Sequence, residues 1–289
     1  MVNQNKRMEY LRPKNQKETL HLMKRWKGKV RLIAGGTNVI PDLRSRAIRP
    51  EVLIDISHLK NLSYIREERG RIRIGGRTTL SELSSSGIIK QYGPALFDAA
   101  NQIGNPLVRN RATIAGNLAD GSPAADTAVP LLVLEAKVST VRSDGKMRQI
   151  AIDQFFVGPN RTVLNKDEII KEITFTKPDS KAKMTYAKLG LRNSMAISIV
   201  SVAVLLEIRG QRCSRARMGL GAVAPTPIRA YRTEELLLNR KVTEELIDSC
   251  CERIKEEINP ITDIRASADY RRAMTSVLLK RLIRKNIEG

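Results

Sequence analysis

The chain has 289 residues, of which 42% are hydrophobic, 28% charged and 4% aromatic, a balance that excludes a disordered or collagen-like polymer and suits a soluble globular protein of roughly two domains. Its 51 basic and 30 acidic residues leave a net charge of +21, which admits an anionic partner such as nucleic acid, an acidic protein surface or a phosphate-bearing ligand; the basic residues are scattered without interleaved aromatics, so a solvated net-basic surface is favoured over a nucleic-acid site. The longest apolar run, within Ala196 to Leu206, is interrupted by Ser198 and Ser201 and is too short for a bilayer span, and Met1 to Lys17 lacks the apolar core of a secretory signal, so a cytoplasmic protein is expected.

In chain order, Leu20, Met23 and Trp26 recur at helical spacing between Asn15 and Lys27, with Asn15 and Glu18 placed as a capping box and Gly28 as the stop. Val30 to Ala34 reads as a buried strand ending at Gly35-Gly36, and Val52 to Ile56 as another. Arg71 to Ile74 alternates as a half-buried strand should, and Thr79 with Glu82 opens a second helix reaching about Ser86. Pro94 to Ile103 reads as a helix stopped by Gly104. The stretch Arg109 to Pro130 is rich in small and polar residues, as where backbone must come close to something. Lys137 to Arg142 and Met147 to Ile152 flank Asp144-Gly145 as a hairpin, and Ile169 to Phe175 is a further strand. A charged, proline-containing stretch from Thr176 to Lys183 marks a boundary. Beyond it, Met184 to Leu191, Ala196 to Ile208 and Arg212 to Val223 read as three antiparallel strands. Helices over Thr243 to Ile258 and Ser267 to Lys285 then complete an α+β order.

Two segments have the composition of a phosphate cradle. Arg31-Leu32-Ile33-Ala34-Gly35-Gly36-Thr37-Asn38 and Thr113-Ile114-Ala115-Gly116-Asn117 each combine glycine with a hydroxyl and an amide side chain. Glycine lets successive N–H groups converge on an anion and lets a pyrophosphate approach bare main chain. The alternative is that both are tight structural turns after strands. Gly219-Leu220-Gly221-Ala222-Val223-Ala224 satisfies a dinucleotide fingerprint on paper, but Pro225 and Pro227 follow at once where a helix should open, so it reads as a strand-end turn. Ser122-Pro123-Ala124-Ala125-Asp126 reads as a helix start, with Asp126 either complementing the helix dipole or accepting from a ribose hydroxyl. Cys213, Cys250 and Cys251 make no cluster-binding pattern, and His21 and His58 are too few for a zinc site or a catalytic triad. Any chemistry therefore falls to a cofactor.

The paired segments at 34–38 and 113–117, with Ser122-Pro123-Ala124-Ala125-Asp126-Thr127, resemble the FAD-binding medium subunit of molybdenum hydroxylases, the family of the xanthine, carbon monoxide and nicotinate dehydrogenase flavoproteins. The similarity continues through Lys188 to Arg192, Gly221 to Pro227 and Asp269 to Arg272, and so covers essentially the whole chain. It implies an FAD-binding region of two α/β subdomains, residues 1–56 and 57–177, and a C-terminal domain, 178–289, with a three-stranded antiparallel sheet and helices. FAD would lie between the first two. The resemblance implies FAD contacts from Arg31, Leu32, Ile33, Ala34, Gly35, Gly36, Thr37, Asn38, Thr113, Ile114, Ala115, Gly116 and Asn117. It further implies an adenosine-ribose contact from Asp126 and contacts from Ile103, Ile170 and Lys188. Ala115 departs from the glycine of many members, and Asn38 from their aspartate or serine.

The resemblance implies an oxidoreductase component in which the polypeptide binds and orients FAD. A small 2Fe–2S subunit, fed by a large molybdenum-cofactor subunit, would supply electrons one at a time, and the reduced flavin would pass a pair to NAD⁺ or another acceptor. The rival of another class is a basic nucleic-acid-binding module whose glycine turns are structural.

Overall fold

A computed structural model describes residues 7–288. Among the described residues, three sheets of three or more strands follow one another along the chain, with a two-stranded hairpin inside the second unit. The first begins with β1 (Glu9–Leu11), α1 (Gln16–Trp26), β2 (Val30–Ile33), α2 (Val39–Arg44) and β3 (Val52–Asp55). Its order is β1-β3-β2 and both pairings are parallel, which the intervening helices permit. The central strand β3 is buried at every position, whereas β2, at the edge, is only half-buried, so the expected buried strand at 30–34 is a sheet margin. Asn15 caps α1 by accepting from the Glu18 N–H at 2.9 Å, and the Glu18 carboxylate reaches back to the Lys14 N–H at 2.6 Å. Lys27 and Gly28, at φ 40° and 80°, end the helix in the left-handed region. Met23 of α1 packs on Val52 and Ile54 and also on Val141 and Ile169 of the next sheet.

The second unit comprises β4 (Ile65–Glu68), β5 (Arg71–Gly75), α3 (Leu80–Ser85), α4 (Gly87–Tyr92), α5 (Pro94–Gln102), α6 (Pro106–Arg109), α7 (Ile114–Ala119) and α8 (Ala128–Val133). It continues with β6 (Lys137–Arg142), β7 (Met147–Ala151), the small hairpin β8 (Phe156–Gly158) with β9 (Arg161–Thr162), and β10 (Glu168–Thr176). The sheet β4-β5-β10-β6-β7 is antiparallel throughout. Ile72 and Ile74 point into the core, as the alternation predicts, and the hairpin turns at Gly145 with φ 85°. Thr79 and Glu82 form the expected capping box.

The third sheet is β11 (Ala182–Leu189), β12 (Val200–Arg209), β13 (Arg212–Gly221) and β14 (Ile228–Arg229), followed by α9 (Tyr231–Leu237), α10 (Glu244–Glu257) and α11 (Ala268–Glu288). It has four strands in the order β11-β12-β13-β14; the fourth is two residues long, too short for periodicity to reveal. One face, with Met184, Tyr186, Ala203 and Leu205, shares the core of the second sheet, and the other lies under Ile247, Cys250, Ile254, Leu279 and Ile283. Burial on both faces explains why β12 reads as a continuous apolar run. The Gly219-to-Ala224 segment ends β13, and a Cβ on Gly219 would stand 2.4 Å from the Val129 carbonyl oxygen, so its glycine admits α8 to the sheet. Burial raises the Cys213 and Cys250 thiols to about 11 and 12, so both are protonated and inert at neutral pH.

Two further readings give way, the helix start at 122–126 and the alternative of a tight turn at 113–117. Ser122-Pro123 opens no helix: the segment through Thr127 is a run of turns, and α8 begins at Ala128, because Gly121, at φ 68°, packs against the Asn160–Arg161 backbone and reverses the chain first. Thr113 to Asn117 is no turn after a strand; it is the start of α7, with Thr113 as N-cap.

Glu168 illustrates how the second sheet is held. Burial opposes its charge, yet Arg148 at 2.6 Å, the Asn165 N–H at 3.0 Å and the Thr140 hydroxyl hold its carboxyl at about 2. Its stabilisation is therefore complete above the ordinary carboxylate value of 4.5 and is lost as pH falls toward about 2. Urea melts of Glu168→Gln should show a loss on the order of 2–3 kcal/mol at pH 7, and the gap to the parent should narrow as the pH approaches the native value of the carboxyl.

Candidate functional site

The chain leaves the end of β2 through Ala34 to Asn38. Gly36 sits at φ 77°, a conformation that turns successive amides toward one side and that a residue with a side chain adopts only under strain. The carbonyls of Gly36 and Asn38 accept from Ile40 and Asp42 as α2 begins, at 3.0 Å each. Among the described residues, the N–H groups of Gly35, Gly36, Thr37 and Asn38 donate no hydrogen bond. Four consecutive open donors at a half-buried turn are the arrangement that takes up an anion.

The second glycine segment is different. Every amide from Ile114 to Asn117 is already committed: to the Thr78 carbonyl at 2.9 Å, the Gly76 carbonyl at 3.1 Å, the Thr113 hydroxyl at 3.0 Å and the Thr113 carbonyl at 2.9 Å. It offers bare main chain instead, since Gly116 is exposed. It also offers the Asn117 amide, whose oxygen accepts from the Thr127 hydroxyl at 2.5 Å, leaving its Nδ2 as the group free to donate. The two segments that look alike in sequence are thus one open set of donors and one closed wall.

These segments abut. A Cβ on Gly35 would lie 2.0 Å from the Arg111 carbonyl oxygen, so the first turn presses on the backbone that leads into Thr113. A Cβ on Gly76 would lie 2.4 Å from the Ile170 carbonyl oxygen and 3.2 Å from the Ala115 methyl, which brings Ile170 against the second segment. Arg31 and Leu32 lie upstream on β2, exposed and half-buried.

Asp126 is buried, and its carboxylate gathers the remaining residues. Oδ1 accepts from the Tyr186 hydroxyl at 3.0 Å and the Ser198 hydroxyl at 2.5 Å, and Oδ2 from Lys188 Nζ at 2.7 Å. Lys188 also donates to the Gln102 and Ala196 carbonyls, both at 3.1 Å, so all three of its protons are placed and the end of α5, just before Ile103, is tied to it. Burial first, and then the Asp126 charge, pushes the Tyr186 phenol well above its usual range and keeps it a donor. With both lone pairs of Oδ1 taken, one acceptor direction at Oδ2 is left. Arg111, Gly76, Tyr186 and Ser198 escaped the sequence reading. Only Gly76 left a signal there, a second Gly-Gly pair directly after an alternating strand.

Residues 6–178 match the family described as the FAD binding domain in molybdopterin dehydrogenase, and residues 185–286 the CO dehydrogenase flavoprotein C-terminal domain. The nicotinate dehydrogenase FAD-subunit of Eubacterium barkeri is 31% identical over 283 residues, covering 96% of this chain and 95% of its own. The carbon monoxide dehydrogenase medium chain of Hydrogenophaga pseudoflava is 32% identical over 277 residues, 96% of each chain. Among solved structures, a carbon monoxide dehydrogenase from Hydrogenophaga pseudoflava that lacks the Mo-pyranopterin moiety superposes with a TM-score of 0.92 at 33% identity over 96% of each chain. Quinoline 2-oxidoreductase from Pseudomonas putida 86 superposes with a TM-score of 0.92 at 25% identity over 98% of each.

Gly36→Val would bring its Cβ within 3.2 Å of the Ile33 and Ile40 side chains and force a β-branched residue into the left-handed region, at a cost of about 1–2 kcal/mol or more. The expected result is a folded protein by circular dichroism that retains little FAD after gel filtration. Undiminished flavin content in this variant would remove the open amides from the binding site.

Proposed function

Because this chain belongs to the family of FAD-binding medium subunits of molybdenum hydroxylases, we propose that it carries electrons from a small 2Fe–2S subunit to NAD⁺ or another acceptor, within a complex whose large subunit holds the molybdenum cofactor. Its cofactor is FAD and its class is oxidoreductase. FAD, when bound, supplies chemistry that stores an electron pair and releases it.

The chain's own residues hold and orient. The open amides of Gly35 to Asn38 would neutralise the pyrophosphate, and the absence of side chains at Gly35, Gly36 and Gly116 would let it approach main chain. Arg31 to Ala34 would lead into this contact along β2. Thr113 to Asn117 would wall the opposite side, with the Asn117 Nδ2 as donor. The remaining acceptor direction of Asp126 Oδ2 suits a ribose hydroxyl. Lys188, held by its carbonyl partners, would set the position of Ile103, while Ile170 would line the floor. In this reading residues 1–56 and 57–177 enclose the cofactor, and 178–289 form the flavoprotein C-terminal domain.

The observation that carries the reading is the contact between Gly35 and the Arg111 backbone, which joins the open donors to the second segment at one place. The chain carries three cysteines, all buried and with burial-raised pKa values, which leaves iron–sulfur ligation to a partner. Among the described residues no helix is long and apolar enough to cross a membrane.

A tagged form of the chain, purified from its native host, should bring down two companion polypeptides and show the absorbance of oxidised flavin. The preparation should bleach on anaerobic addition of NADH if NAD⁺ is the acceptor. A colourless protein that cannot be loaded with FAD, yet binds DNA with a steep salt dependence, would reverse the reading.

A further inference from the structure

We propose that the cleft between the end of α1 and the loops that follow β6 and precede β10 binds a compact polyphosphate anion, which locks the first two units of the chain together at the edge away from the open amides. The inference goes beyond the function proposed above and rests on it only in what it says of flavin retention.

The cleft has a volume of about 410 Å³, within the range of small-ligand sites. Met23, Lys24, Lys27 and Gly28 line it from the first unit, and Ser143, Lys166 and Asp167 from the second. Met23 is buried and packs on Val141 and Ile169 across the seam, so the two walls meet on an apolar base. Higher up, a Cβ on Gly28 would stand 3.5 Å from Lys166 Cδ and 3.8 Å from its Cβ, which places the Lys166 stem along the left-handed turn that ends α1. The wall of the second unit is fastened within itself. Asp167 Oδ2 accepts from the Ser143 hydroxyl at 2.8 Å and from Arg142 at 3.4 Å, and the Ser143 N–H donates to the Asp167 carbonyl at 2.9 Å.

The charges around this cleft do not balance. Among the described residues the ammonium groups of Lys24, Lys27 and Lys166 make no ion pair and no hydrogen bond, while Asp167, the one acid of the lining, is already taken by Arg142 and Ser143. Asp144, next along the hairpin turn, accepts from the Lys146 N–H at 2.9 Å. Two more donors of the same seam, Trp26 Nε1 and Arg142 Nε, are buried without a hydrogen-bond partner. Single lysines on a surface are ordinary; three from two units on one concavity, beside buried donors that lack acceptors, call for a ligand that brings both negative charge and oxygens. A phosphate chain brings both, and lysine binds phosphate as a point charge. No aromatic side chain lines the cleft, so recognition falls on the phosphate chain and not on a base stacked against it. The four residues of β2, about 13 Å of strand, separate this cleft from the open amides at Gly35 to Asn38, so it is not the cradle assigned to the flavin pyrophosphate. An anion held by lysines of both units resists their separation, and the units that it joins are the two that enclose FAD in the function proposed above.

The probe is inorganic tripolyphosphate, titrated by calorimetry into the full-length, FAD-loaded chain, with ATP in a parallel titration. One saturable site is expected; the tighter of the two probes tells a free polyphosphate from one carried on a nucleoside. Lys27→Glu and Lys166→Glu should each weaken binding about tenfold or more with FAD content unchanged, and Lys27→Arg should keep it. At ten times its dissociation constant, tripolyphosphate should slow the release of FAD on dilution by about tenfold in the parent, and sodium chloride at matched ionic strength should not. The double variant Lys27→Glu with Lys166→Glu should lose this effect. The proposal is overturned if no saturable binding is found, if binding ignores both charge reversals, or if loading with FAD abolishes it, which would put the anion in the flavin's own cradle. It is also overturned if flavin release is unchanged at saturation, or if the same lysines bind duplex DNA with a steep salt dependence in preference to tripolyphosphate. A chain that cannot be loaded with FAD would count against the proposed function, while titration of the flavin-free chain would still decide the anion site.

Discussion

Everything in the site depends on a close approach of two backbones, that of Gly35 and that of Arg111. A side chain at position 35 would place its Cβ 2.0 Å from the Arg111 carbonyl oxygen, so the two backbones would have to move apart to admit one. That approach joins the first, parallel sheet to the start of α7 and fixes where the free amides of the β2–α2 turn stand. Gly36 then sets their direction through its left-handed conformation. One glycine provides proximity and the next provides orientation, and neither role can be taken over by the other.

A second constraint works from the opposite side. The Asp126–Lys188 ion pair is almost fully buried, at 7% and 8% side-chain exposure, so its net contribution to stability is smaller than its short distance suggests. Its effect is geometric. Through Lys188 it ties the end of α5 to the loop before β12, and through Oδ1 it holds Tyr186 and Ser198. Removing either partner would leave a buried charge without compensation, which costs more than the pair itself contributes.

The sequence revealed the fold where periodicity had room to repeat. α1, β5, the β6–β7 hairpin, the long strands β12 and β13, and the helices α10 and α11 all carry a pattern over several turns or alternations. It concealed what is short: β1, β4, β14 and α4 each span too few residues for a period to establish itself. The site was legible as composition and opaque as geometry. Glycine, threonine and asparagine at 34–38 and 113–117 mark close backbone approach in both places. Yet only the structure distinguishes amides left open at the first from amides spent on Thr78, Gly76 and Thr113 at the second. Ser122-Pro123 looked like a helix start because local chemistry favours one; the reversal at Gly121, imposed by a segment forty residues away in sequence, prevailed. Tyr186 and Ser198 sit on a strand and a loop with no motif of their own, and they acquire meaning only from the carboxylate they reach.

The shared core beneath the third sheet has a consequence for how the molecule comes apart. Met184, Tyr186, Ala203 and Leu205 belong to the same apolar cluster as Ile72, Phe155 and Leu131, so cutting the polypeptide between the two matched families would leave each fragment with a bare oily flank. The two halves are separable as stretches of text but not as folded bodies: heat should melt them in one step, and a truncated N-terminal half should aggregate rather than persist as a working flavin carrier.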